Sequence, residues 1–164
     1  MRILGIDPGT INLGYGLVDD EETLKVVDYG TLSCSPQTLM EERLLSLYTQ
    51  LNRIISEYRP DEAAIEEPFV SQNVRSALAI GKAQTIAILA AASQGLAIYY
   101  YSPTQIKQQV AGHGQANKEQ IQEMVKLHLG LPQIPRSNDA ADALAAAICH
   151  CQQNKLKQKL ASWK

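Results

Sequence analysis

The hydrophobic period of this chain first changes near residue 38, and that change limits what the chain can fold into. Before it, three apolar runs stand between turn signals: "RILGID" ending at Asp7, "GYGLVDD", and "LKVVDYGTLSC". Pro8-Gly9 and the stretch from Asp19 to Glu22 punctuate them, so the spacing predicts an antiparallel meander. After it, Met40, Arg43, Leu44, Leu47, Leu51, Ile54, Ile55 and Tyr58 recur at three- and four-residue steps, which predicts an amphipathic helix over about 38–58. "DEAAIEE" after Pro60 reads as a fourth strand, the Ala-rich region from Ser76 to Gln94 as a helix, and "LAIYYY" as a fifth strand. Strand, helix, strand, helix, strand in that order requires parallel crossovers. The expected fold class is α/β, a mixed five-stranded sheet flanked by helices.

Three helix starts follow. Ser102-Pro103-Thr104-Gln105 carries a capping box with Pro at the first helical position. Asn117 to Gln120 repeats the pattern after the glycines of "AGHGQA". The last helix is "NDAADALAAAICHC", from Asn138 to Cys151, with Asn138 as the expected N-cap. At 164 residues the chain is expected to hold one domain over 1–152, followed by a basic tail over 153–164. With one Trp and one Phe, the core should consist mainly of Ile, Leu, Val and Ala. "MRILGID" runs straight into a strand without a signal-peptide pattern. The longest apolar stretch, "AIGKAQTIAILAAASQG", is interrupted by Lys82, Gln84 and Thr85, so no membrane span is expected. Cys34, Cys149 and Cys151 show neither zinc spacing nor a disulfide framework. A reduced, cytoplasmic protein is the expectation.

Net charge is −2, so the whole chain does not advertise nucleic acid, but the distribution is uneven. From Pro68 to Lys118 there is no Asp or Glu, where the average frequency would place about five. That stretch holds Arg75, Lys82, Lys107 and Lys118, and "KLKQKLASWK" at the end is basic too. A neutral Ala-rich region with a solvated tail accounts for this as readily as a nucleic-acid surface beside an acidic centre.

The acids carry the sharper question. Asp7 ends a strand of Ile3, Leu4 and Ile6, where a carboxylate is costly without a partner, although Asp also opens turns. Glu66 and Glu67 end the fourth strand; side chains alternate faces, so only one of them can share a face with Asp7, and parity between the apolar Ala64 and Ile65 does not choose. Asp139 and Asp142 lie three apart on one helical face, which ordinary helix-start chemistry also explains. If strands one and four are neighbours and the last helix packs over them, four carboxylates converge. So close a set needs a cation, and oxygen-only ligands suit Mg²⁺ or Mn²⁺.

With those blocks in view, "ILGIDPGTINLGYG", "AAIEEPF", "SALAIGKAQ", "IKQQVAGHGQANKEQIQEMV" and "DAADALAAAICHC" together resemble the RuvC family of Holliday junction resolvases, a branch of the ribonuclease H-like superfamily. The resemblance extends from the first residues to about residue 152. It implies a ribonuclease H-like fold and a homodimeric, Mg²⁺-dependent crossover junction endodeoxyribonuclease acting in recombination and repair. Such an enzyme makes paired symmetric nicks in four-way DNA junctions with two ions per active site, Mn²⁺ being a substitute. The family's metal-binding and catalytic acids fall on Asp7, Glu66, Asp139 and Asp142, which selects Glu66 over Glu67. DNA contacts fall on Phe69, Asn73, Arg75, Lys82, Lys107 and Lys118. An association with the RuvA-RuvB branch-migration complex is a further implied partnership. His113 reads as incidental, and His150 lies about 12 Å along the helix from Asp142, too far to ligate the same ion. Other readings are a ribonuclease H-like nuclease acting on RNA or RNA–DNA hybrids, a catalytically dead junction-binding protein, and an actin-like ATPase suggested by "GIDPGT" with "GYG". The ATPase reading requires a second lobe that 164 residues do not supply.

Overall fold

The computed structural model describes residues 1–67 and 73–162. In chain order the elements are β1 (Arg2–Asp7), β2 (Asn12–Asp20), β3 (Leu24–Ser33), α1 (Met40–Tyr58), β4 (Glu62–Glu66), α2 (Val74–Ser93), β5 (Ala97–Tyr101), α3 (Pro103–Ala111), α4 (Lys118–Leu129) and α5 (Asn138–Ala161). The sheet order is β3-β2-β1-β4-β5. β1 pairs antiparallel with β2, and β2 with β3. β1 pairs parallel with β4, and β4 with β5. The meander and the parallel crossovers expected from the hydrophobic period are both present.

Each face of the sheet buries its own core. On one side Leu4, Ile6, Leu13, Leu17 and Ile65 meet Leu47, Leu51 and Ile55 of α1 and Ala87 and Ala90 of α2. On the other, Ile3, Val18, Ala64 and Tyr101 meet Ile106 of α3, Val125 of α4, and Leu144 and Ile148 of α5. Both expected capping boxes form, Ser102 with Gln105 and Asn117 with Gln120. The α5 cap differs from the expectation by one residue. Ser137 is the N-cap, its Oγ accepting from the Ala140 N–H at 3.3 Å, and Asn138 is the first helical residue. Ser137 wins because Thr31 on β3 hydrogen-bonds its hydroxyl at 2.5 Å, while Gln122 of α4 donates to Asn138 Oδ1. The segment read as a basic tail from residue 153 continues α5 as far as Ala161.

The alanines of α5 and the glycines of β1 and β2 form one device. A Cβ at Gly5 would run into the backbone oxygen of Ala143, one at Gly14 into that of Asp139, and one at Gly16 would come within 2.6 Å of the Leu144 side chain. The helix backbone therefore lies almost directly on the strands. Glycine is needed here for close approach, and alanine opposite it keeps the spacing.

Gly14→Ala is expected to force α5 off the sheet at Asp139. Overpacking of this kind costs roughly 1–3 kcal/mol, so thermal unfolding followed by circular dichroism should show a midpoint lower by several degrees. An unchanged midpoint would mean the helix is not seated there.

Candidate active site

β1 and β4 run side by side in the same direction, with Ile6 opposite Ile65. One step further along both strands stand Asp7 and Glu66. Ile3 and Ala64 belong to the core on the α5 side. By strand alternation Gly5, Asp7 and Glu66 face that side too, and Glu67 does not. The sheet thus settles a parity question that Ala64 and Ile65 left open. Glu67 instead uses its backbone N–H to bond the Tyr101 carbonyl at 2.8 Å.

Burial pushes the Asp7 carboxyl up to about 8, with further upward pressure from the charges of Glu66, Asp142 and Asp139, and relief from Lys118. Burial likewise pushes Glu66 up to about 7, reinforced by Asp142. A hydrogen bond with Asp7 and the charges of Lys107 and Lys118 oppose it. Asp142 is raised by burial, with Lys118 and Lys107 opposing and Asp139 reinforcing. Asp7, Glu66 and Asp142 each register the charge of another acid in the group, and Asp139 acts on Asp7 and Asp142, so residues 7, 66, 139 and 142 lie within one electrostatic neighbourhood. Lys118 Nζ stands 3.9 Å from Asp142 Oδ2. Glu66, Lys107 and Asp142 share the lining of a cavity of about 50 Å³ with Pro103, Ile106, Ile121 and Ala145. Lys118 is the first residue of α4, an unfavourable place for a cation. The acids beside it offset that cost.

The remaining sequence candidates are less concentrated. Asn73 caps α2, its Oδ1 accepting from the Ser76 N–H at 3.2 Å. Arg75 and Lys82 lie exposed on α2. Phe69 lies outside the described residues. His113 is exposed and borders a separate cavity of about 390 Å³ with Glu119 and Glu123.

Among the described residues, no three acids, histidines or cysteines are already closed into a coordination cage. The donor set nevertheless fits a hard divalent cation. All the donors are carboxylate oxygens, and two are buried deeply enough to retain a proton near neutral pH. A cation is what would let them ionise together. Cysteine and histidine, which would favour zinc, do not enter the cluster.

The Ala-rich stretch forms the expected helix, α2. Over Val74–Ser93 it is long and apolar enough to cross a membrane by length and composition, yet only 22% of that window is buried. Leu78, Thr85, Leu89 and Ala92 are all exposed and, at steps of three, four and seven, share one face. In the sequence this stretch reads as small side chains that permit close helix approach, interrupted by Lys82, Gln84 and Thr85. The signal available was the recurrence of apolar residues around the whole helix circumference.

A family model described as crossover junction endodeoxyribonuclease RuvC matches residues 3–150. A protein of that name from Dehalococcoides mccartyi is 53% identical over 157 residues, covering 93% of this chain and 92% of the relative. One from Chloroflexus aggregans is 52% identical over 151 residues, covering 92% of each. Among solved structures, Thermus thermophilus RuvC in complex with a Holliday junction substrate superposes with a TM-score of 0.91 at 34% identity, covering 96% of both chains.

The site's electrostatics set a pH dependence. The ordinary value for Asp7 is 3.8 and the folded chain holds it near 8, so folding binds a proton between those values. Its effect on stability is fully favourable below the lower value and is lost as pH rises toward the upper one. Without divalent ions, the melting temperature should fall from pH 5 to pH 8.5, and Asp7→Asn should flatten that fall. Superimposable pH profiles for the two proteins would contradict the assignment.

Proposed function

The chain belongs to the RuvC family of crossover junction endodeoxyribonucleases, and we propose that its four-acid cluster is the centre at which it hydrolyses DNA at four-way junctions. The observation that supports this reading is the placing of Asp7 and Glu66 on adjacent parallel strands where Asp142 of α5 acts on both and Asp139 acts on Asp7 and Asp142.

Asp7 and Glu66 supply oxygens from the rigid sheet, and Asp139 and Asp142 supply them from a helix start fixed to β3 and α4. Two divalent cations held there, Mg²⁺ with Mn²⁺ as a substitute, would activate water for in-line attack and stabilise the departing 3′-oxygen, leaving a 5′-phosphate and a 3′-hydroxyl. Lys107 and Lys118 sit close enough to the acids to lower their charging cost, and they are placed to hold the scissile phosphate against them. Their stretch of chain, 68–118, carries no competing acid. Asn73, Arg75 and Lys82 at and along α2 extend the DNA surface beyond the site, and Phe69 is assigned a base-stacking role.

The exposed apolar face of α2 supports a homodimer. Two-fold symmetry places two sites on one junction, as paired nicks require. Cooperation with a RuvA-RuvB branch-migration complex completes the proposed partnership, and three free cysteines fit a cytoplasmic setting.

Asp7→Asn is expected to lower Mg²⁺-dependent nicking of a synthetic four-way junction by at least about a hundredfold, the scale of losing preorganised charge at a reacting centre. Junction binding in a gel-shift assay should persist. A panel of mobile junction, linear duplex and RNA–DNA hybrid should show cleavage of the junction alone; preferential cleavage of the hybrid would favour the other ribonuclease H-like reading. Leu89→Asp on α2 should convert the protein to a monomer by sedimentation velocity and uncouple the two nicks. A dimer that survives this change would move the interface elsewhere.

A further inference from the structure

His150 is wholly buried and has no part in the acid cluster, yet both ring nitrogens are engaged. Nδ1 lies 2.6 Å from the Tyr101 hydroxyl, and Nε2 lies 2.6 Å from Glu62 Oε2. Asn154 Nδ2 donates to the same Glu62 oxygen at 3.2 Å, and the Tyr99 hydroxyl donates to Glu62 Oε1 at 3.3 Å. The Tyr99 ring leans on the imidazole with centroids 4.4 Å apart. A carboxylate at Glu62 only accepts, so Nε2 carries the proton of that bond, while Nδ1 and the Tyr101 hydroxyl share the other; Asn154 Nδ2 also stands 3.0 Å from Nε2. The neighbours of His150 on α5 are Ile148, Cys149 and Cys151, all buried. An aliphatic side chain would fill such a position without any polar desolvation. A polar chain anchored on a wholly buried imidazole, with partners on β4, β5 and α5, fixes positions instead.

Its fixed point is Tyr101, the last residue of β5. Tyr101 pairs with Glu66 across the sheet, and its carbonyl accepts from the Glu67 N–H. The next residue, Ser102, caps α3, and α3 carries Lys107, whose charge acts on Glu66 and Asp142. Tyr101 is therefore the joint between the strand pair holding Glu66 and the helix holding Lys107. We propose that the Tyr101–His150–Glu62 chain is a positioning device that holds the start of α3, and so Lys107, at a fixed distance from Glu66 and Asp142. This rests on the four-acid cluster being the cleavage site. The geometry makes Tyr101 and His150 positioning residues that touch neither DNA nor ion.

Tyr101→Phe deletes one hydroxyl and keeps the ring in the core. Single-turnover nicking of a synthetic four-way junction should slow about tenfold, within the scale expected for misplacing a reacting group, with the junction dissociation constant unchanged. In a Lys107→Ala background the same change should cost nothing further, because coupled residues fail to add. His150→Asn keeps an amide near the Nδ1 position and should cleave faster than His150→Gln, whose amide reaches toward Glu62 instead. Amide hydrogen exchange over residues 102–107 should quicken in Tyr101→Phe, while exchange in α4 stays as it was. An unaltered nicking rate, a full independent loss in the Lys107→Ala background, or unchanged exchange at the α3 start would overturn the proposal. Failure of the unaltered protein to nick any junction would sink the cleavage assignment, and the exchange measurement would still decide the positioning role.

Discussion

The contact on which this structure depends is backbone against backbone: α5 rests on β1 and β2 where Gly5 and Gly14 leave no side chain in between, and Gly16 makes room for Leu144. A helix ordinarily packs on a sheet through an intervening layer of side chains. Here the layer is nearly absent at the strand ends that matter. The two acids projecting from α5 are thereby brought down to the height of the two projecting from the strands. A helix held off by ordinary side chains would leave two separated pairs, and the mutual charging cost that characterises the cluster would fade with distance.

Charge placement follows from the same geometry. Buried acids pushed upward are a liability to the folded chain, and the cost is tolerated where the site needs it. Lys107 and Lys118 arrive from α3 and α4, two short helices whose starts are secured by capping boxes. They moderate the repulsion without neutralising it. The absence of acids from residues 68 to 118 is then a local matter, keeping competing carboxylates out of the segment that supplies these cations.

Much of this was legible in the residues. The period change near residue 38 separates meander from crossovers, and the capping boxes at Ser102 and Asn117 mark their helices to the residue, because those signals are local. The site was legible only as a set of candidates. Four acids could be named, but strand alternation by itself could not choose between Glu66 and Glu67, because it does not say which face of β4 meets α5; in the sequence only the family resemblance made that choice. The α5 cap was misplaced by one residue because Ser137 is fixed by Thr31, more than a hundred positions away in the chain. His150 could be set aside as a ligand by distance along a helix, but its partners Tyr101 and Glu62 lie on two other elements. The exposure of α2 was hidden for a similar reason: composition reports that a helix is apolar, and only packing reports which side is left uncovered.

The start of α5 is tied on two flanks, by Thr31 from β3 and by Gln122 from α4. One consequence concerns the connection from Gly130 to Arg136, which links α4 to that start. Since the anchor points lie in the helix and its neighbours, the connection bears little of the burden of orienting the acids. Gly130, Leu131 and Pro135 are held by the α4 cap and the core, so it is the exposed middle, Pro132 and Gln133, that can absorb added residues at small entropic cost. Residues inserted at that middle would leave the acids aimed as they are, because the helix start is tied through Ser137 and Asn138.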